Sequence, residues 1–179
     1  DIRTIAPDHG PVRRGGIDTI LKSYEQFARQ TPTNKAVILY DTMWHSTEMM
    51  ARAIEEGLLE GGARVKVISM HASLRSDAAY EILDAGALVA GSPTLNNNIF
   101  PAMADVLTYL KGLRPQNLVG AAFGSYGWSG EAAGQTHDIL AGMKVDLLAE
   151  PLRVKYVPGG DDLKRCVELG RTVAHKLKE

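Results

Sequence analysis

Between an apolar run, KAVILY, and a segment of helical periodicity, the chain reads DTMWHSTEMM from Asp41 to Met50. Three hydroxyls, Thr42, Ser46 and Thr47, fall in this turn, with no lysine or arginine among them. Two chemistries are open to such a turn. Ser46 can cap the coming helix by accepting from a free backbone N–H. Alternatively, the first-turn N–H groups, the helix dipole and the hydroxyls can cradle a phosphate. Each charge-assisted bond is worth about 1.5–3 kcal/mol, so a handful can hold a dianion without a basic residue. His45 in the same turn either lends partial positive charge, donates one bond while neutral, or faces solvent. Neither G-x-G-x-x-G nor G-x-x-x-x-G-K-[ST] occurs here, so the common nucleotide loops are excluded.

Two further loops carry chemistry. SPTLNNN contains Pro93, Thr94, Leu95, Asn96 and Asn97. Asparagine tolerates left-handed backbone and offers both donor and acceptor, so this is an ordinary turn or a set of groups for the edge of a heterocycle. GSYGWSGEA contains Ser125, Tyr126, Gly127, Trp128, Ser129 and Gly130. Aromatics in so polar and glycine-rich a loop have little core to fill. They suit the face of a planar ring or the surface of a partner protein.

The elements that must position these loops alternate regularly from Lys35. Strands are expected at Lys35–Tyr40, 64–70, 87–93, 118–125 and 152–157. Helices are expected after the hydroxyl turn up to Gly61-Gly62, over 76–84, through Met103, Val106, Leu107 and Leu110 to Gly112, over 131–142, and through Leu163, Val167, Val173, Ala174 and Leu177. Five βα units predict an α/β fold, a doubly wound five-stranded parallel sheet in the flavodoxin-like order 2-1-3-4-5. Ligands of such sheets bind beyond the carboxyl ends of the strands, where the order reverses. All three loops fall on that edge, in the order phosphate cradle, ring edge, ring face. Flavin mononucleotide (FMN) is the mononucleotide that suits this layout best. A phosphate without counter-charge would repel the anionic reduced flavin, giving a low potential and one-electron transfer.

The chain has 179 residues, 20 basic and 21 acidic, for a net charge of −1. That balance gives no general attraction to nucleic acid or anionic membrane, and no apolar run has the ~20 residues needed to span a bilayer. One cysteine, Cys166, permits no internal disulfide, and a reducing, cytoplasmic setting is expected. Cys166 falls on the apolar stripe of the last helix and is read as core. His71, His137 and His175 lack ligand-like spacing and are expected to face solvent.

Residues 1–34 stand apart. IRTIAPDHGP is expected to form a strand and turn, followed by a helix with one apolar stripe (Ile17, Ile20, Leu21, Tyr24, Phe27, Ala28) that needs a partner. The five-strand unit is not expected to supply it. Lacking an initiator methionine, the chain reads as a piece of something longer.

YDTMWHSTEMMA, GSPTLNNNIFP, KGLRPQN and AAFGSYGWSGEA closely resemble the flavodoxin-like domain of flavodiiron proteins, the group that includes rubredoxin:oxygen oxidoreductases. The resemblance runs along nearly the whole chain. It implies an FMN phosphate loop at Thr42, Met43, Trp44, His45, Ser46 and Thr47, with ring and ribityl contacts at Pro93–Asn97 and Ser125–Gly130. APDHGP then resembles the end of the family's metallo-β-lactamase-like domain, in which the histidine at His9 is one ligand of a diiron centre that reduces O2 or NO. The other ligands belong upstream, so His9 is a metal ligand only within a complete diiron domain. The implied division is 1–34, remnant and linker, and 35–179, FMN domain. Implied partners are rubredoxin or a reductase as electron donor, the diiron domain of the same or another subunit, and a second copy in a head-to-tail homodimer.

Two other functions share the fold. A receiver-like signalling module needs clustered carboxylates at the ends of the first and third strands, where Asp41 stands nearly alone. An NAD(P)H-dependent flavin or quinone reductase needs an added nicotinamide pocket, and NADH oxidation would reveal it.

Overall fold

The computed structural model describes residues 2–179. Helix α1 (Ile17–Arg29) precedes β1 (Lys35–Tyr40), α2 (Ser46–Glu60), β2 (Arg64–Ser69), α3 (Arg75–Ile82) and β3 (Ala87–Gly91). A hairpin of β4 (Thr94–Leu95) and β5 (Asn98–Ile99) follows, then α4 (Pro101–Leu113), β6 (Val119–Tyr126), α5 (Glu131–Gly142), β7 (Asp146–Leu147), β8 (Leu152–Lys155) and α6 (Gly160–Lys176).

The main sheet is parallel and runs β2-β1-β3-β6-β7, with β8 also on β6. This is the order 2-1-3-4-5 with its fifth position shared by two segments. β7 pairs with Val119 and Gly120, and β8 pairs from Phe123 to Tyr126. Between them Ala121 and Ala122 face residues 148–151, two residues more on the edge than on β6. Pro151, which has no N–H for the ladder, lies in that excess and explains the break.

Alternation on β1 divides the core. Ala36, Ile38 and Tyr40 pack with α2 and α6 on one face, while Val37 and Leu39 pack with α3, α4 and α5 on the other. Strands covered on both sides must be apolar throughout, as KAVILY and ALVAG are. The α2–α6 crossing is very close: a Cβ on Gly57 would lie 1.9 Å from the Val167 carbonyl oxygen, and one on Gly170 would lie 2.2 Å from that of Ile54.

Helix α4 runs through Gly112 and ends at Arg114, whose left-handed backbone terminates it. The expected N-terminal strand reduces to one antiparallel bridge, Ile5 with Arg13. The asparagine run is a hairpin: Asn96 and Asn97 both take positive φ, 50° and 59°, as a tight two-residue turn requires. Helix α1 buries none of its residues. The linker behind it docks on the sheet domain, with Thr33 Oγ1 donating to the Asp84 carbonyl and Asn34 Nδ2 to that of Gly62 at 2.8 Å. No helix among the described residues is long and apolar enough to cross a membrane.

Candidate functional site

At the carboxyl ends of β1, β3, β6 and β8 lies a cleft of about 290 Å³. Its walls are Met43, Trp44 and Ser46 from the first loop, Pro93 and Thr94 from the second, Ser125, Tyr126 and Gly127 from the third, and Tyr156 and Val157 after β8. No carboxylate, lysine or arginine lines it. A larger groove of about 760 Å³ runs between α2 and α6, but only His45 among the expected site residues borders it. The smaller cleft is the candidate site because three chemically equipped loops converge there.

The first loop presents unpaired donors at a helix N-terminus. Asp41 is buried and its carboxylate accepts the Thr42 N–H at 2.7 Å, fixing the exit from β1. His45 adopts φ 65° and is the N-cap residue without a side-chain cap, so Ser46 is the first helical residue and its hydroxyl does not cap the helix. The first backbone bond of α2 runs from the Met49 N–H to the His45 carbonyl, which leaves the N–H groups of Ser46, Thr47 and Glu48 without a helical acceptor. Thr42 Oγ1 is buried and has no hydrogen-bond partner among the described residues. A buried hydroxyl without a partner, in the loop that leads into open helix N–H groups, is a setting in which a phosphate oxygen can supply the missing acceptor.

Two expected ligands are occupied elsewhere. Thr47 Oγ1 lies 2.8 Å from Ser125 Oγ, and both residues are buried, so this pair links α2 to β6. The His45 ring turns to Glu48, Nδ1 to Oε2 at 2.8 Å, and Glu48 Oε1 accepts from Tyr40 Oη at 3.2 Å. The His45 bond is the largest cause holding the Glu48 carboxyl below its ordinary range. Burial is the main cause that raises the Tyr40 phenol above its ordinary value.

The second and third loops are braced against each other. Ser92 Oγ accepts the Phe100 N–H at 2.9 Å, and Thr94 Oγ1 accepts the Ala132 N–H at 3.2 Å. Gln135 on α5 holds the hairpin, accepting from the Ile99 N–H at 2.8 Å and donating to the Asn97 carbonyl at 3.2 Å. Ser129 Oγ donates to Asn97 Oδ1 at 3.3 Å and to Glu131 at 2.7 Å. Gly130 has φ 79°, and a Cβ there would meet the Tyr126 ring at 2.9 Å. Thr42, His45, Thr47, Leu95, Asn96, Asn97, Trp128, Ser129 and Gly130 stand outside the cleft walls; Trp128 is 93% exposed and Trp44 82% exposed.

Tyr156 and Val157 were missed from sequence. The available signal was their place directly after a strand ending on the same edge, ahead of PGG. His137 differs from expectation: its Nδ1 is buried without a partner among the described residues, so it does not simply face solvent. His9 is exposed in the turn below the Ile5–Arg13 bridge. Among the described residues no three or more of His, Cys, Asp and Glu are grouped to hold a metal.

Residues 38–170 match the flavodoxin family. A nitric oxide reductase of Moorella thermoacetica is 48% identical over 179 residues, covering 99% of this chain and 45% of that protein. The structure of rubredoxin oxygen:oxidoreductase from Desulfovibrio gigas superposes with a TM-score of 0.94 at 46% identity, covering 98% of this chain and 44% of that one. The flavodiiron protein from Giardia intestinalis superposes with a TM-score of 0.94 at 27% identity, covering 99% and 45%. The chain thus spans about half the length of the relatives it matches. The chain belongs to the flavodoxin family and corresponds to the flavodoxin-like part of the longer flavodiiron proteins.

Proposed function

We propose that this chain binds FMN in the cleft at the carboxyl ends of its strands and relays electrons as the flavin domain of a flavodiiron system. The observation that carries the reading is the loop between β1 and α2, without lysine or arginine, in which Thr42 Oγ1 has no partner among the described residues and the first turn of α2 has no side-chain cap. Thr42, Ser46 and the first-turn amides would hold the phosphate. The hairpin loop would meet the ring edge, and Trp44, Tyr126 and Trp128 would offer faces for stacking. The bound flavin supplies the electron-accepting ring; the chain's residues orient it and cover part of its surface. The donor would be rubredoxin or a reductase. The acceptor would be a diiron site reducing O2 or NO, with ligands beyond the described residues, in the same or another subunit of a homodimer. Residues 1–34 would belong to the diiron half and its linker, 35–179 to the flavin domain, and the setting would be cytoplasmic. The names of the matched relatives, a nitric oxide reductase and a rubredoxin oxygen:oxidoreductase, favour this reading over a quinone reductase.

Purified chain should take up FMN and turn yellow. The double substitution Thr42→Ala/Ser46→Ala should weaken FMN binding by more than about tenfold, with riboflavin binding changed far less, because two phosphate bonds are lost. Equal losses for both flavins would place the phosphate elsewhere.

A further inference from the structure

We infer that the segment after β8 is a fourth wall of the flavin site, in which Tyr156 positions the ring, and that Lys155 at the end of β8 raises its reduction potential from behind that wall. This rests on the FMN reading above. Tyr156 takes φ 64°, a region that bulky side chains rarely adopt. The surroundings hold it there: its N–H donates to the Tyr126 carbonyl at 2.7 Å, continuing the β6–β8 pairing past the end of the strand, and the nearby Pro158 is buried. Strained backbone of this kind is retained where a side chain must point one way. Here it brings the Tyr156 ring into the wall of the cleft, opposite Gly127, where a Cβ would lie 3.7 Å from the ring. The ring is still 61% exposed, so its place in the wall is not explained by core packing.

Lys155 Nζ lies 5.1 Å from the centroid of that ring, within cation–π range. No carboxylate pairs with it among the described residues. The three loops 42–47, 93–97 and 125–130 contain no lysine or arginine; Lys155 does not line the cleft itself, but its ammonium lies against the Tyr156 ring that does. A reduced flavin carries more negative charge than an oxidised one. A cation held behind the wall of the site therefore stabilises the reduced form and offsets part of the phosphate's repulsion. Lys155 acts from behind the tyrosine, as a positioning and electrostatic residue.

The test uses the FMN-loaded chain and three variants. Tyr156→Gly removes the ring at a positive-φ site that glycine accepts, and Tyr156→Phe keeps the ring. Lys155→Met removes charge while keeping length. Tyr156→Gly should weaken FMN about fivefold, the order expected for one aromatic contact, while Tyr156→Phe binds as the unaltered chain does. Lys155→Met should shift the flavin midpoint potential to more negative values at low ionic strength, with reduced flavin bound about threefold more weakly relative to oxidised. The salt dependence of the potential should steepen in the same variant, because the phosphate's repulsion is then unopposed. Unchanged FMN affinity in Tyr156→Gly, or an unchanged potential in Lys155→Met, would overturn the inference. If the unaltered chain takes up no FMN, the cofactor reading falls and this falls with it. If it takes up FMN and the Thr42/Ser46 variant is impaired while these variants are silent, this inference alone is wrong.

Discussion

At the scale of single residues, the site separates hydroxyls that are free to bind from hydroxyls that brace. Thr42 Oγ1 has no partner among the described residues, whereas Thr47 and Ser125 satisfy each other in a buried pair. Thr47→Val should cost about 1–3 kcal/mol, because Ser125 is left buried and unpaired. Adding Ser125→Ala should recover part of that loss, measured by urea denaturation of the two singles and the double. Cys166 gives a pH-dependent test. Burial is the largest cause that pushes its thiol from 9.0 up to about 12. The folded state therefore keeps a proton that the unfolded state gives up. Its contribution to stability is complete below pH 9 and is lost as pH rises from there towards 12. Cys166→Ala should start less stable, through the small cavity, but show a shallower loss of stability from pH 9 upward, followed by urea titration at stepped pH. The residue types of the cleft were readable in the sequence, but their division of labour was not. Nothing in the string TMWHST says that Thr47 faces Ser125, 78 positions away, while Thr42 faces no partner.

At the scale of elements, the crossing of α2 and α6 depends on two glycines in helix interiors. Alanine is favoured over glycine in a helix by about 1 kcal/mol. At Gly170 the added Cβ would press on the Ile54 carbonyl oxygen, and overpacking costs about 1–3 kcal/mol. Gly170→Ala should therefore destabilise the chain despite its better propensity, and thermal unfolding will show the sign. A rise in melting temperature would mean that the helices separate without penalty. Lys35 at the foot of β1 is tied to Glu81 at 2.8 Å and Asp84 at 2.7 Å on and beside α3. Burial alone would lower its pKa, yet the two carboxylates outweigh that and raise it. The strand and helix pattern was legible because both faces of the sheet are covered, which forces continuous apolar strands and amphipathic helices. The split of the fifth strand was less legible, since it follows from a two-residue mismatch with β6 that only pairing reveals.

At the scale of the whole molecule, the sheet domain and the N-terminal segment obey different rules. The domain has a core on both faces of its sheet, whereas α1 has an apolar stripe with Leu21 40%, Tyr24 70% and Phe27 37% exposed. Removing residues 1–29, which keeps the Gln30, Thr33 and Asn34 contacts, should leave the melting temperature within a few degrees and FMN affinity within about twofold. Calorimetry and flavin titration check both. A collapse of either would mean that 1–34 is integral to the flavin domain.

The sequence by itself determined the element order, the parallel sheet, the edge on which the loops meet and the scarcity of charge there. Periodicity and turn chemistry are local properties, and crossover handedness leaves few ways to combine them. Only the tertiary structure decided which hydroxyls remain open, that Asn96 and Asn97 make a hairpin turn, that the His45 ring turns to Glu48, and that Tyr156 lines the cleft. Each of these depends on distances between residues far apart in the chain, and those distances are fixed by packing across the sheet.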